Sequence, residues 1–453
     1  MNIKRPAPMD APYAGLLDGR PVDHRQPHLL VSGRTGSGKS RSVLAPAAIM
    51  WGRRPVVCVS SKGDLAELTA PKRASRGPVY LMDLSGEVRD SELVGVDVQR
   101  VASDPCALIT DDDSALELAA LLLEVGSLGG GDGKGGGDSF WQSLAMRPLA
   151  AILQAAGWYI DPETGDDVWG GGIRWALAAC EDSGADAGGD ADDGTSATLD
   201  LTTPDWGAAI RRCATIDSHH GASLLAAKKL DPRQRDSIGI NARVALGAWA
   251  LRAVAGRGDV APFTPDLLEQ PGATLYIVSP LTGAAAPAAS AALTSLVNHW
   301  RKNVGRIPTL LMVIDELPNT SPLPRLANWI GEARGLNLRI VAAVQASSQF
   351  EPRWGAAGLK ILRDIFPAAL ILPGAPEKEL LEQAAWSVPA EERATASLDA
   401  GGRSSHSRDR VSALDAAELL PRRKGEGRLL LGGTPGHLVE LVDIAATDLL
   451  TIR

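Results

Sequence analysis

The sequence predicts an α/β fold with a mostly parallel sheet, interrupted by an inserted all-helical region, and three observations carry that prediction. Short, continuous apolar runs recur at helical separations: HLLVS, PVVCVS, PVYLMDL, TLYIVS, TLLMVIDE, LRIVAAVQ and AALILP. Continuous rather than alternating hydrophobicity marks strands covered on both faces, as parallel strands are. A stretch from about Phe140 to Gly258 instead repeats its Ala, Leu and Trp residues at three and four, which reads as helices. One crossover can be followed residue by residue: TLYIVS from Thr274, a helical pattern through AASAALTSLVNHWRKNVG, then TLLMVIDE from Thr309. Arg301, Lys302 and Gly305 supply the basic last turn and glycine that stop such a helix.

Residues 1–27 form a lead of Pro and charge without the apolar core of a signal peptide. After it come a first α/β part at 28–138, the all-helical insertion at 139–264, and a second α/β part at 265–453. Two segments lack the side chains needed to build a core. GSLGGGDGKGGGDS (126–139) is expected to be a mobile loop, and EDSGADAGGDADDGTS (181–196) a solvated acidic one. No apolar run reaches the roughly 18 residues that a membrane-crossing helix needs, so the chain is expected to be soluble. The net charge is −8, so contact with nucleic acid has to come from local patches such as PRRKGEGR (421–428) or Lys228 and Lys229. Cys58, Cys106, Cys180 and Cys213 are far apart in sequence and read as reduced core residues. The eleven tryptophans follow no fixed period, which fits core packing better than a stacking platform.

The first apolar run leads into GRTGSGKS, in which Gly33, Gly38, Lys39 and Ser40 satisfy G-x-x-x-x-G-K-[ST] between a predicted strand and a predicted helix. That context makes it a P-loop. Glycines let backbone N–H groups from Gly36 to Ser40 turn inward on phosphate oxygens at a helix N-terminus. Lys39 reaches the β and γ phosphates, and the Ser40 hydroxyl ligates Mg²⁺. The residues expected to hold ATP are Gly33, Thr35, Gly36, Ser37, Gly38, Lys39, Ser40 and Arg41. LLMVIDE ends in Asp315 and Glu316, the form of a Walker B element. Asp315 is expected to hold the metal with Ser40, and Glu316 to act as general base toward water. LRIVAAVQ ends in Gln345, whose amide is positioned to sense the γ-phosphate. All these residues fall at carboxyl ends of predicted strands, where open α/β sheets bind ligands. His219 and His220 are adjacent in a helical pattern, where neighbouring side chains diverge, and no carboxylate or cysteine with suitable spacing accompanies them. No metal site is expected there.

The residues around these motifs resemble the type IV coupling proteins, the TraG/TraD-type hexameric ATPases of conjugation and type IV secretion. The likeness runs in order through GRTGSGKSRSVLAPAAIMWG, VVCVSSKGDLAELTA, RGPVYLMDL, FWQSLA, TLYIVSPL, VIDELPNTSPLPRLANWIGEARGLNLRIVAAVQASSQFEPRWG and HSRDRVSALDAAELLP. Its most specific piece is the block from Asp315 to the Q-x-x-x-Q-F spacing of Gln345 to Phe350. The resemblance implies a RecA-like motor domain with the helical domain inserted in it, assembling as a hexameric ring with ATP sites between subunits. It also implies cargo, either relaxase-bound single-stranded DNA or effector proteins, delivered to type IV secretion components. An arginine supplied in trans is implied as well, for which Arg334 and Arg353 are the candidates. An FtsK-like duplex translocase and a nucleotide-gated cargo-recognition module are the alternative readings. Two departures stand out. The family's usual pair of N-terminal transmembrane helices has no counterpart in the polar lead, so docking at the inner face of the plasma membrane is expected to use a membrane partner protein or a removed segment. Where the family has D-P-K-G-E, this chain has Ser60-Ser61-Lys62-Gly63-Asp64.

Overall fold

The structure is a computed structural model and describes residues 10–89, 93, 95–128, 136–182, 200–256, 258–332, 335–398, 404–411 and 413–447. Every apolar run named above forms a strand. In chain order the strands are β1 (Leu16–Leu17), β2 (Arg20–Pro21), β3 (His28–Ser32), β4 (Val56–Ser60), β5 (Val79–Asp83), β6 (Val98–Arg100), β7 (Trp158–Ile160) and β8 (Asp167–Trp169). There follow β9 (Thr274–Val278), β10 (Leu310–Ile314), β11 (Leu338–Val344), β12 (Ala368–Ile371), β13 (Glu391–Leu398), β14 (Ser404–Val411), β15 (Glu426–Leu431) and β16 (Thr434–Glu440).

One twelve-stranded sheet runs β2-β1-β16-β15-β12-β3-β11-β10-β4-β9-β5-β6. From β12 to β6 every pairing is parallel. Every residue of β3, β4, β9 and β10 is buried, which is why these runs are apolar on both faces. Alternation decides which face each residue serves. Leu29, Val56, Cys58, Leu311 and Val313 pack on one side with Leu44, Ile49 and Trp51. Leu30, Val57, Val59, Met312 and Ile314 pack on the other with Leu293, Leu296 and Trp300. The four strands β2, β1, β16 and β15 extend the sheet in antiparallel pairing. They escape a search for continuous apolar runs because β1 and β2 are two residues long and β16 carries polar residues on an outer, half-exposed strand.

In chain order the helices are α1 (Ala45–Met50), α2 (Asp64–Ala74), α3 (Asp112–Leu128), α4 (Gly136–Ala156), α5 (Gly172–Glu181), α6 (Trp206–Thr215), α7 (His220–Lys228), α8 (Pro232–Ala245) and α9 (Arg252–Ala255). They continue as α10 (Ala286–Lys302), α11 (Leu317–Thr320), α12 (Leu326–Glu332), α13 (Glu351–Ile365) and α14 (Lys378–Trp386). Between β6 and β9 the chain is mainly helical. Ala145, Leu149, Ala150, Ile152 and Leu153 bury α4 at the centre, against α3, α5, α6, α7 and α8. The stretch is not wholly helical, however, since β7 and β8 form a hairpin within it. The turn between them is fixed by Asp161, whose carboxylate accepts the N–H of Glu163 at 2.8 Å, and by Gly165 at φ +73°. Trp158 and Trp169 close the hairpin with ring centroids 5.5 Å apart.

The glycine-rich segment 126–139 is partly helical, because α3 runs to Leu128 and α4 starts at Gly136; its middle lies outside the described residues, as does most of 181–196. After Pro421 the chain enters β15. The four cysteines are buried and unpaired, and burial alone pushes the Cys58 thiol up to about 12.

Arg73 on α2 is fully buried, and among the described residues its guanidinium bonds to carbonyls and a hydroxyl and to no carboxylate. Its guanidinium donates to Gly52 O at 2.6 Å, Arg54 O at 2.8 Å, Gly272 O at 3.0 Å and Thr274 Oγ1 at 2.7 Å. Burial pulls its pKa down to about 10, so it stays charged at neutral pH. These bonds tie α2 to the loops entering β4 and β9. Arg73→Met is therefore expected to cost about 3–5 kcal/mol by leaving buried carbonyls unpaired, read as a lower midpoint in urea unfolding.

Candidate functional site

The candidate nucleotide site is built on three adjacent strands. β3 leads into the loop 33–40, β10 leads into Asp315 and Glu316, and β11 lies between them and leads into Gln345. Backbone bonds continue the ladder past the strand ends: Gly33 N–H donates to Val344 O at 3.1 Å and Asp315 N–H to Val59 O at 2.8 Å. The loop therefore starts from a rigid platform. Gly36 and Gly38 sit at φ +78° and +95°, a region that side chains disfavour, which explains why glycine stands at both places. A Cβ on Gly33 would come within 2.6 Å of Ser37 Oγ.

The helix after the loop opens with a wide turn in which Ala45 N–H reaches the Ser40 carbonyl, five residues back. Pro46 accounts for this, because it donates no N–H and its ring crowds the carbonyl four residues before it.

Loop and acidic tip touch. Ser40 Oγ donates to Asp315 Oδ2 at 3.0 Å, and Lys39 Nζ lies 3.6 Å from Glu316 Oε1 while donating to Gly33 O at 2.5 Å. Lys39 is 6% exposed and Glu316 9%, so the pair is shielded from solvent. Burial raises the Asp315 pKa, with the Glu316 and Asp64 charges adding to the rise, against the Ser40 hydrogen bond and the Lys39 charge. Glu316 adopts a left-handed backbone, φ +51° and ψ +45°, which costs about 1–2 kcal/mol for a residue with a Cβ. Three bonds fix this turn: Thr320 Oγ1 to Asp315 O at 2.9 Å, and Asn319 N–H and Thr320 N–H to Glu316 O at 2.9 and 3.1 Å.

Ser37 Oγ, Asp315 Oδ1 and Glu316 Oε2 are buried polar atoms with no hydrogen-bond partner among the described residues. Such atoms are costly unless something binds them. Grouped around a glycine-rich loop at a helix start, they fit a polyphosphate with its divalent cation.

The backbone at Gln345 is held by Gln349, whose Oε1 accepts the Gln345 N–H at 2.8 Å, which gives the second glutamine of Q-x-x-x-Q a structural role. Thr35 and Gly36 are exposed at the loop's crest. Arg41 does not join the site through its side chain, which pairs with Asp443 through bonds of 2.7 and 2.9 Å. Of the two arginines considered for a role in trans, Arg353 donates to Pro318 O at 3.0 Å in its own chain, and Arg334 lies outside the described residues.

Sequence reasoning missed Glu377, which is 1% exposed. Its Oε1 accepts Ser32 Oγ at 2.5 Å and Ser347 N–H at 2.6 Å, and its Oε2 accepts Ser347 Oγ at 2.5 Å. It joins the end of β3, just before the loop, to the segment after Gln345. Nothing in APEKEL distinguishes this acid from a solvated one near a helix start. Glu377→Ala is expected to cost about 3 kcal/mol in denaturant unfolding, since charge-assisted bonds to buried donors are lost.

The expected divergence of His219 and His220 does not hold. His219 precedes α7, and the two rings lie 4.4 Å apart beside Asp112, which the fold brings from the start of α3.

A family model described as "Type IV secretory system Conjugative DNA transfer" matches residues 4–90, and one described as "TraM recognition site of TraD and TraG" matches residues 309–423. A search of curated proteins returns no match. Among solved structures, the unbound bacterial conjugative coupling protein TrwBdeltaN70 is similar at 19% identity, with a TM-score of 0.63 over 97% of this chain and 89% of that one. TrwB in complex with the ATP analogue ADPNP, and with ADP and Mg²⁺, match at 19% identity and TM-scores of 0.60, covering 97% of this chain and 90% of theirs. Both family models bracket the site, one holding the loop and the other the acidic tip and Gln345, and the fold of the conjugative coupling protein is shared over nearly the whole length of this chain.

Proposed function

We propose that this chain is an ATP-hydrolysing coupling-protein motor that moves conjugative single-stranded DNA, free or relaxase-bound, toward a type IV secretion channel. One observation carries the reading: the Ser40–Asp315 bond of 3.0 Å and the Lys39–Glu316 pair at 3.6 Å put the phosphate loop and the acidic strand end in one buried cleft. Backbone N–H groups from Gly36 to Ser40 would bind phosphate oxygens, and Lys39 would neutralise them. Ser40 and Asp315 would hold Mg²⁺, which when bound supplies positive charge against the phosphate oxygens. Glu316 takes a proton from the attacking water, and its fixed left-handed turn keeps the carboxylate in place. Gln345, held through Gln349, orients that water or senses the phosphate on the neighbouring strand end. The TrwB complexes with an ATP analogue and with ADP and Mg²⁺ support this choice of ligand.

We assign residues 28–138 and 265–453 to the motor and the mainly helical insertion 139–264 to cargo reception. Assembly as a hexameric ring, with a cation donated across the subunit interface, completes the reading. No helix among the described residues is long and apolar enough to cross a membrane. We place the chain at the inner face of the plasma membrane, beside a membrane partner protein. Steady-state ATP turnover with and without single-stranded DNA tests the proposal. Stimulation by single strands supports it; turnover indifferent to DNA, with no DNA binding at low salt, contradicts it. Stimulation only by duplex, or only by protein cargo, would transfer the same motor to another substrate.

A further inference from the structure

Away from the nucleotide cleft, the described residues contain a grouping of metal-ligating side chains, Asp112, His219 and His220. One donor atom from each lies within 4.8 Å of the others. Their sequence separation hides this. Asp112 opens α3, whereas His219 and His220 stand at the start of α7, and α4 packs against both helices.

The two histidines are prepared differently. His220 is 1% exposed, and its Nε2 lies 2.9 Å from the Asp112 backbone carbonyl. A carbonyl only accepts, so Nε2 carries the proton and the Nδ1 lone pair is left for another partner. Among the described residues it has no partner: Nδ1 is a buried nitrogen without a hydrogen bond. An imidazole with one nitrogen donating to a carbonyl and the other uncommitted is the arrangement that metal-bound histidines adopt, because the carbonyl fixes tautomer and ring orientation. His219 is the exposed member, with 68% of its side chain accessible, and its Nδ1 contacts the Asp112 carboxylate. That carboxylate also accepts the His219 N–H at 3.1 Å. Ser218 Oγ, bonded to Gln154 Oε1 at 2.8 Å, lies next in the chain and anchors the turn that presents both rings.

We propose that Asp112, His219 and His220 form a binding site for a divalent transition metal, with zinc the expected occupant, that staples the start of α3 to the start of α7. Two imidazoles and one carboxylate are a borderline-soft donor set suited to zinc, with a fourth position left to water. Tetrahedral bonds of roughly 2.0–2.1 Å place ligand atoms about 3.4 Å apart. The exposed His219 and the Asp112 carboxylate can adjust by rotation to meet that spacing, and the exposed side gives the ion its route in. None of its three residues belongs to the nucleotide cleft.

The test is zinc binding to the full chain, with Mg²⁺ in excess, read by competition with a chromogenic chelator and by the thermal unfolding midpoint. The wild type is expected to take up one equivalent of Zn²⁺ and to unfold at a higher temperature with it. His219→Ala, which removes an exposed side chain and so leaves the fold intact, is expected to weaken binding at least tenfold and to abolish the thermal shift, and Asp112→Asn to do the same. Failure of the wild type to bind Zn²⁺ at micromolar concentration overturns the proposal. So does uptake of the same affinity in both variants, which would place the ion elsewhere.

Discussion

Glu316→Gln is expected to lower ATP turnover about 100- to 10,000-fold, the range that a positioned general base contributes, while ATP still binds. The substitution keeps the side chain's size and its capacity to face Lys39, 3.6 Å away, but removes the proton acceptor. The fold should tolerate it, because the turn at Glu316 is held by backbone atoms and by Thr320 rather than by the carboxylate. A nucleotide dissociation constant within a few-fold of wild type, measured by titration calorimetry beside the turnover assay, separates a lost base from a damaged site. Turnover close to wild type would remove Glu316 from the chemistry and leave it as a charge partner for Lys39.

Lys39→Ala should act on both quantities. Lys39 is the buried cation of the cleft, bonded to Gly33 O at 2.5 Å and paired with Glu316. Without it, the phosphates lose a charge-assisted donor in a site that excludes water, where one such donor is worth about 100- to 1,000-fold in turnover. The Glu316 carboxylate is also left buried without a counter-charge, which further opposes an anionic ligand. Nucleotide binding should weaken at least tenfold as turnover disappears. The contrast with Glu316→Gln is the informative part: one variant binds and does not turn over, and the other does neither.

Much of this site is legible in the sequence because local rules write it. The strand, the glycines at positive φ, and the lysine and serine at a helix start are each required by the backbone geometry of a phosphate loop. Adjacent carboxylates at the end of a continuous apolar strand are almost as distinctive. The parallel strands could be read for the same reason, since burial on both faces leaves uninterrupted hydrophobicity. What could not be read depends on partners far away in sequence. Glu377 matters because Ser32 and Ser347 meet it, and no local pattern encodes that meeting. Arg41 looks like a continuation of the loop motif, yet Asp443, on the last described stretch of the chain, takes its side chain. His219 and His220 appear divergent only while both are assumed to lie inside one helix. The antiparallel strands β15 and β16 are missed because outer strands mix polar and apolar residues.

The most direct test of the central claim is a structure of the chain with Mg²⁺ and a non-hydrolysable ATP analogue. The account predicts phosphates cradled by the backbone of Gly36 to Ser40, with the metal between Ser40 and Asp315 and Lys39 on the terminal phosphates. Nucleotide bound elsewhere, or a loop that stays closed on Glu316 with no phosphate in it under saturating analogue, would contradict it.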